Sequence, residues 1–206
     1  MIEQYLHDLG IVSNASTNQK SAHIIYKIQP KLDHFHSSTP SEYVSDFWNA
    51  YQNLDEEKSQ NVNGNVFELI LACALVRYEI SPFYMQATVQ YVPNATFDLL
   101  VYEKENGPIT LSAKTSLRER YKQADLEAMA LKQVHRRAES HLITLNSVEA
   151  EVQSKKIESG EIASLDSIVI ATESKFDLLI NKLQSLKFIE PEPTNPIKAG
   201  RLVLPS

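Results

Sequence analysis

From Val66 to Val76 the chain is apolar at every position but one, Glu68. A helix of that composition has no wet face and must be enclosed on all sides. Its longest uninterrupted apolar run, Leu69–Val76, is eight residues, far short of the roughly 20 needed to span a bilayer. The segment therefore belongs to the core of a globular domain, and its flanks must cover it. Residues 1–58 read as mainly helical. Met1–Gly10 is a short amphipathic piece stopped by a glycine. In Ser41–Tyr51, Tyr43, Val44, Phe47, Trp48 and Tyr51 form one broad apolar stripe, which reads as core packing. After the buried helix the period switches from helical to alternating. Met85–Tyr91, Thr96–Tyr102 and Ile109–Lys114 read as strands, joined by a turn at Pro93-Asn94 and a hairpin at Asn106-Gly107. A long helix from about Ser116 to Ser140 follows. Then come a strand at His141–Leu145, a polar helix near Ser147–Ser159, a strand at Ser167–Ala171 and a helix at Ser174–Leu186. The tail Glu190–Ser206 holds Pro191, Pro193, Pro196 and Pro205 and reads as irregular. This order predicts an α/β fold, a mixed sheet flanked by helices. The 206 residues suffice for a single domain: a helical N-terminal region (1–58), a core (59–190) and a proline-rich tail (191–206).

Several chemistries are excluded. The one cysteine, Cys73, permits neither an internal disulfide nor a thiolate zinc site. The five glycines, Gly10, Gly64, Gly107, Gly160 and Gly200, are isolated, so no phosphate-cradling loop or dinucleotide fingerprint can be written and no nucleotide cofactor is expected. The start, Met1-Ile2-Glu3-Gln4, has neither a basic region nor an apolar signal segment. The expectation is a soluble, cytoplasmic protein without membrane contact. A net charge of −6 argues mildly against nucleic-acid binding, unless the positive charge is clustered.

Chemistry concentrates on the hairpin and the helix that leaves it. Asp98 and Lys114, sixteen residues apart, lie on strands that the hairpin makes neighbours. An acid and a lysine brought together in this way suit a divalent metal and a polarised water. Phosphodiester hydrolysis needs this set: carboxylates hold Mg²⁺, the metal stabilises the charge at phosphorus, and the lysine orients or deprotonates the water.

Asp98 with Ser112-Ala113-Lys114 resembles the PD-(D/E)XK nuclease signature, with serine where the second acid usually stands. In the EcoRII and NgoMIV group of type II restriction endonucleases that slot holds serine or another small residue. The acid then comes from the next helix, thirteen or fourteen residues after the lysine, which here is Glu127. The stretch Lys114-Thr-Ser-Leu-Arg118-Glu119-Arg120-Tyr-Lys122-Gln123 is similar to that group's segment. Its Arg-(Asp/Glu)-Arg triplet, starting four residues after the lysine, reads CC:GG base pairs. The resemblance implies a PD-(D/E)XK core, Mg²⁺ on Asp98 and Glu127, catalysis by Lys114, and a supporting acid on the preceding buried helix, for which Glu68 is the candidate. It further implies double-stranded DNA as substrate, and DNA contacts from Arg118, Glu119, Arg120, Lys122 and Gln123. Arginine bonds guanine O6 and N7 in pairs, and a carboxylate accepts from cytosine N4. A palindromic target would make the protein a homodimer or tetramer, since site symmetry mirrors protein symmetry.

Local charge agrees with this reading. From Lys114 to Arg137 there are seven basic residues against three acids, a balance of +4. Arg120 and Glu127, two helical turns apart, share one face. Some alternatives remain open. Ser116…Glu119 is also a capping box, and Asp125 competes with Glu127, although it lies about 140° around the helix from Arg120. Trp48 could stack on an extruded base. His34 and His36 read as surface histidines, and His135, Arg136 and Arg137 as phosphate contacts or a solvated face. A repair or recombination nuclease of the same fold and a non-catalytic DNA-binding protein are the competing functions.

Overall fold

The computed structural model describes residues 4–12, 19–32, 34–56, 58–191 and 197–203. Four helices come first: α1 (Gln4–Asp8), α2 (Gln19–Ile28), α3 (Pro40–Asn53) and α4 (Gln60–Arg77). A meander β1 (Phe83–Val89), β2 (Phe97–Glu103) and β3 (Gly107–Lys114) follows, then α5 (Arg120–Val134), β4 (Glu139–Thr144), α6 (Ser147–Glu158), β5 (Ser167–Ile170), α7 (Ser174–Gln184) and β6 (Ile197–Val203). The strands form one mixed sheet in the order β5-β4-β3-β2-β1-β6. The meander is antiparallel, β3, β4 and β5 are parallel, and β6 is antiparallel to β1. The fold is the expected mixed α/β arrangement. Among the described residues no helix is long and apolar enough to cross a membrane.

Helices cover both faces of the sheet. Leu142 and Ile143 are adjacent on β4, so they point to opposite faces. Leu142 packs in a core with Tyr121, Ala128 and Ala150 of α5 and α6. Ile143 packs in the larger core, with α4 residues such as Phe67 and Ile70 and α7 residues such as Phe176 and Ile180. The helix that the composition required to be enclosed is α4: every residue from Val66 to Leu75 is buried, Glu68 included. Helices α2 and α3 supply the outer cover through Ile24, Ile25, Tyr43, Phe47 and Tyr51. Trp48 packs edge-on against Phe67, ring centroids 5.9 Å apart. It is a core residue, not a free stacking platform. His34 and His36 are exposed.

Three boundaries differ from expectation. Asn63-Gly64-Asn65 lies inside α4, which starts at Gln60 because the Ser59 side chain caps the Val62 N–H at 3.3 Å. Helix α5 is shorter at both ends than Ser116–Ser140. Its start is delayed because Arg118 takes a left-handed φ of 23°, and it ends at Val134, before a turn in which the Ala138 N–H bonds to the His135 carbonyl.

The third difference is the tail, which is not wholly irregular: Ile197–Val203 adds the edge strand β6 to β1. The prolines of the tail flank this strand, so they do not prevent pairing. Gly200 is needed for that approach. Its φ is +153°, and a Cβ there would sit 3.2 Å from both Ala87 Cα and Met85 O. Gly200→Ala is therefore expected to cost about 1–3 kcal/mol, read as a lowered urea midpoint. An unchanged midpoint would show that β6 contributes nothing to stability.

Candidate active site

The C-terminal end of β3, the start of β2 and the bulge in β1 meet over the first turns of α4. Together they form a polar cleft of about 430 Å³ lined by Asn61, Asn65, Glu68, Gln86, Asp98, Lys114 and Arg120 among others. The hairpin register pairs Leu99 with Leu111 and so brings Asp98 beside the end of β3. Asp98 Oδ2 accepts from Lys114 Nζ at 2.6 Å and from the Ala113 N–H at 2.8 Å. Both side chains are about one-seventh exposed, so this is a half-enclosed, charge-assisted pair, stronger than a surface bridge.

Glu68 reaches the same cleft from α4. Gln86 Nε2 donates to Glu68 Oε2 at 2.8 Å and lies 3.4 Å from Asp98 Oδ1, so one amide bridges two carboxylates. Glu68 Oε1 is buried and has no hydrogen-bond partner among the described residues. Burial first, and then the charge of Asp98, push the Glu68 carboxyl up to about 7.

Glu127 is 9% exposed and accepts from Gln123 Nε2 at 2.8 Å, one helical turn before it. Burial raises its pKa, and it feels the charges of both Lys114 and Asp98. Glu127 thus lies within electrostatic reach of Lys114 and Asp98, whereas Asp125 is engaged elsewhere. Asp125 Oδ1 accepts from the Ser164 and Leu165 N–H groups at 2.7 and 3.1 Å, where it holds the loop between α6 and β5.

Arg118, Glu119 and Arg120 are all exposed where β3 turns into α5. Arg118 and Arg120 line a smaller pocket of about 150 Å³ with Thr115 and Ser116, and Arg120 also borders the main cleft. The capping box is not formed. Ser116 Oγ donates instead to Glu149 at 3.2 Å, and the Leu117 N–H donates to the same carboxylate. Glu149, at the start of α6, therefore anchors the turn that carries the arginines. Glu119 pairs with Lys122, and Gln123 serves Glu127.

The cluster of positive charge is divided. Lys132 pairs with Asp166 at 2.8 Å. Arg136 and Arg137 are exposed beyond the other end of α5, about 20 Å along the helix from Arg120. His135 packs edge-on against Tyr102 at 6.3 Å. The cations at the cleft itself are Lys114, Arg118 and Arg120, with Arg201 of β6 within electrostatic reach of Glu68.

The cleft-lining Asn61, Asn65 and Gln86 escape sequence reading, as does Arg201, within electrostatic reach of Glu68. Gln86 sits at φ +50°, where β1 shifts register against β6 between Met85 and Thr88. A left-handed non-glycine residue within a strand is held there by its surroundings at some cost, and the alternating pattern around it carries no sign of it.

The donor set, three carboxylates in one electrostatic neighbourhood, has the hard-oxygen chemistry that Mg²⁺ takes, and the orphaned Glu68 oxygen is a site such an ion could satisfy. The carboxylates do not, however, form a ready-made cage. Among the described residues no three His, Cys, Asp or Glu side chains are grouped to hold a metal ion, and Lys114 and a backbone amide occupy Asp98 Oδ2. No family model matches the chain, and it matches neither a curated protein nor a solved structure.

The raised Glu68 carboxyl makes stability depend on pH. Its folded pKa lies above its ordinary value of 4.5, so the folded state is favoured when the group is protonated. That stabilisation is complete below about 4.5 and is lost as the pH rises through about 7, roughly 3 kcal/mol in all. Urea unfolding at pH 5 and pH 8 should show wild type losing stability across this window. Glu68→Gln should lose much less, retaining only the share of Glu127, and an identical pH slope in the two proteins would remove Glu68 from this account.

Proposed function

We propose that the chain is a Mg²⁺-dependent endonuclease of the PD-(D/E)XK type, acting on duplex DNA in the manner of the EcoRII and NgoMIV group. The observation that carries this reading is the cleft in which Asp98 and Lys114 meet at 2.6 Å, beside two buried acids, with Arg118 and Arg120 exposed at its rim. Such a site can hold a phosphodiester between cations and supply oxygen ligands beneath it. Asp98 and Glu127 would hold Mg²⁺, which when bound supplies charge neutralisation at the phosphate and a more acidic water. Lys114 orients the attacking water in line with the leaving 3′ oxygen and neutralises charge on the phosphate. Gln86 keeps Glu68 and Asp98 at a set separation. Arg118 and Arg120 face the major groove at the start of α5 and take guanine edges, with Glu119 released from Lys122 to accept from cytosine N4. A palindromic site would be read by a two-fold homodimer.

A second reading, a non-catalytic DNA-binding protein, is favoured by one observation: Asp98 is already neutralised by Lys114, and no metal cage stands ready among the described residues. Digestion of a sequenced plasmid with Mg²⁺ separates the readings. Discrete fragments whose ends map to one short palindrome support the restriction-type nuclease. A smear points to a nuclease that reads structure or lesions, and retention without cleavage points to a binding protein. Lys114→Ala should bind duplex in Ca²⁺ and fail to cut in Mg²⁺; full cleavage by this variant removes Lys114 from the chemistry. Arg118→Ala should weaken discrimination at one G·C pair by about 1–3 kcal/mol, measured by competition between matched and mismatched duplexes.

A further inference from the structure

Lys114, Asp98, Gln86 and Arg201 stand on four consecutive strands, β3, β2, β1 and β6. The first three already line the cleft. The fourth is delivered by the C-terminal edge strand, whose register sets Arg201 opposite Met85, one residue from the left-handed Gln86. The Arg201 side chain is half-buried. Among the described residues its hydrogen bond is to Met85 Sδ at 4.0 Å, and no carboxylate pairs with it. Glu68, the nearby acid, is a poor counterion: Gln86 holds its Oε2, and its carboxyl is pushed up by burial to about 7. Burial also works against the charge of Arg201 itself.

A half-buried guanidinium whose hydrogen bond goes to a thioether keeps donors free for an anion. Guanidinium donors match the oxygens of a phosphate in pairs. The backbone also favours this placement, since β6 lies against β1 with glycine at the preceding position, where a Cβ would crowd Met85 O and Ala87 at 3.2–3.3 Å.

We infer that Arg201 is a phosphate-binding residue, its guanidinium taking nonbridging oxygens of a backbone phosphate of the nucleic acid bound at this end of the sheet. The inference rests on the proposed DNA-binding reading and extends it to the C-terminal strand. Arg201 extends the cationic lining from Lys114 and Arg120 across β1 to the sheet edge. It contacts the backbone and reads no base, so it adds affinity and salt dependence but no sequence preference.

The test is a salt titration of duplex binding by fluorescence anisotropy, with Ca²⁺ present to prevent cutting. Each phosphate contact contributes about one unit to the slope of log K against log salt. Arg201→Gln should reduce the slope by about one and weaken matched and mismatched duplexes equally, while Arg201→Lys keeps the slope. A slope in Arg201→Gln equal to that of wild type, with wild type binding, makes Arg201 a structural counterion of Glu68 and overturns this inference alone. If wild type does not bind duplex even at low salt, the DNA-binding reading falls and this inference falls with it. A second measurement needs no variant: phenylglyoxal modification of wild-type Arg201, followed by peptide mass analysis. Bound duplex should protect Arg201, and equal modification with and without duplex overturns the assignment even if Arg201→Gln does not fold.

Discussion

The contact between Lys114 Nζ and Asp98 Oδ2 ties the end of the β2–β3 hairpin to the chemistry of the cleft. With the Ala113 N–H it satisfies an aspartate that is otherwise largely enclosed. It also acts on the other two acids, which burial raises first. Glu68 is pushed up partly by the charge of Asp98 and drawn down partly by Lys114, and Glu127 feels the same two charges in the same senses. An anionic group that entered this cleft would meet one cation partly spent on Asp98 and two carboxyls whose charged form burial disfavours. A divalent cation would meet the reverse, an aspartate that must loosen its hold on Lys114 and an orphaned oxygen ready to accept it.

Helix α5 extends that balance along its length. Its first residue, Arg120, borders the cleft; Gln123 and Glu127 continue the same stripe inward. The remaining faces serve the fold: Ala124, Ala128 and Leu131 are buried, and Asp125 pins the loop before β5. Glu149 fixes the turn before the helix by accepting from Ser116 and Leu117. The rim of the site therefore depends on α6, an element that supplies no residue to the cleft. Disturbing Glu149 would reach Arg118 and Arg120 without touching Asp98, Lys114 or Glu68.

Much of this organisation was legible in one dimension. The switch from a helix with no wet face to strict alternation placed the buried helix and the meander. Asn106-Gly107 fixed the hairpin, and the hairpin made neighbours of Asp98 and Lys114. Seven-residue spacing placed Arg120 and Glu127 on one stripe. These features are local, because side-chain period and turn chemistry are properties of short segments. Local charge counting misled in one respect: it treated Lys114–Arg137 as one patch, when the helix carries Arg136 and Arg137 to the far end and Lys132 to Asp166.

The chain alone determined the element types from α3 to α7, the mixed α/β class and the meeting of Asp98 with Lys114, since each follows from patterns within about twenty residues. Only the tertiary structure decided which distant segment completes the sheet. It set Ile197–Val203 against Phe83–Val89 more than a hundred positions away, turned Gln86 out of the strand pattern into a bulge between two acids, and gave Ser116 and Asp125 partners on α6 and the loop after it. Such pairings are selected by the packing left over when the local elements have formed, and no period in the sequence records them.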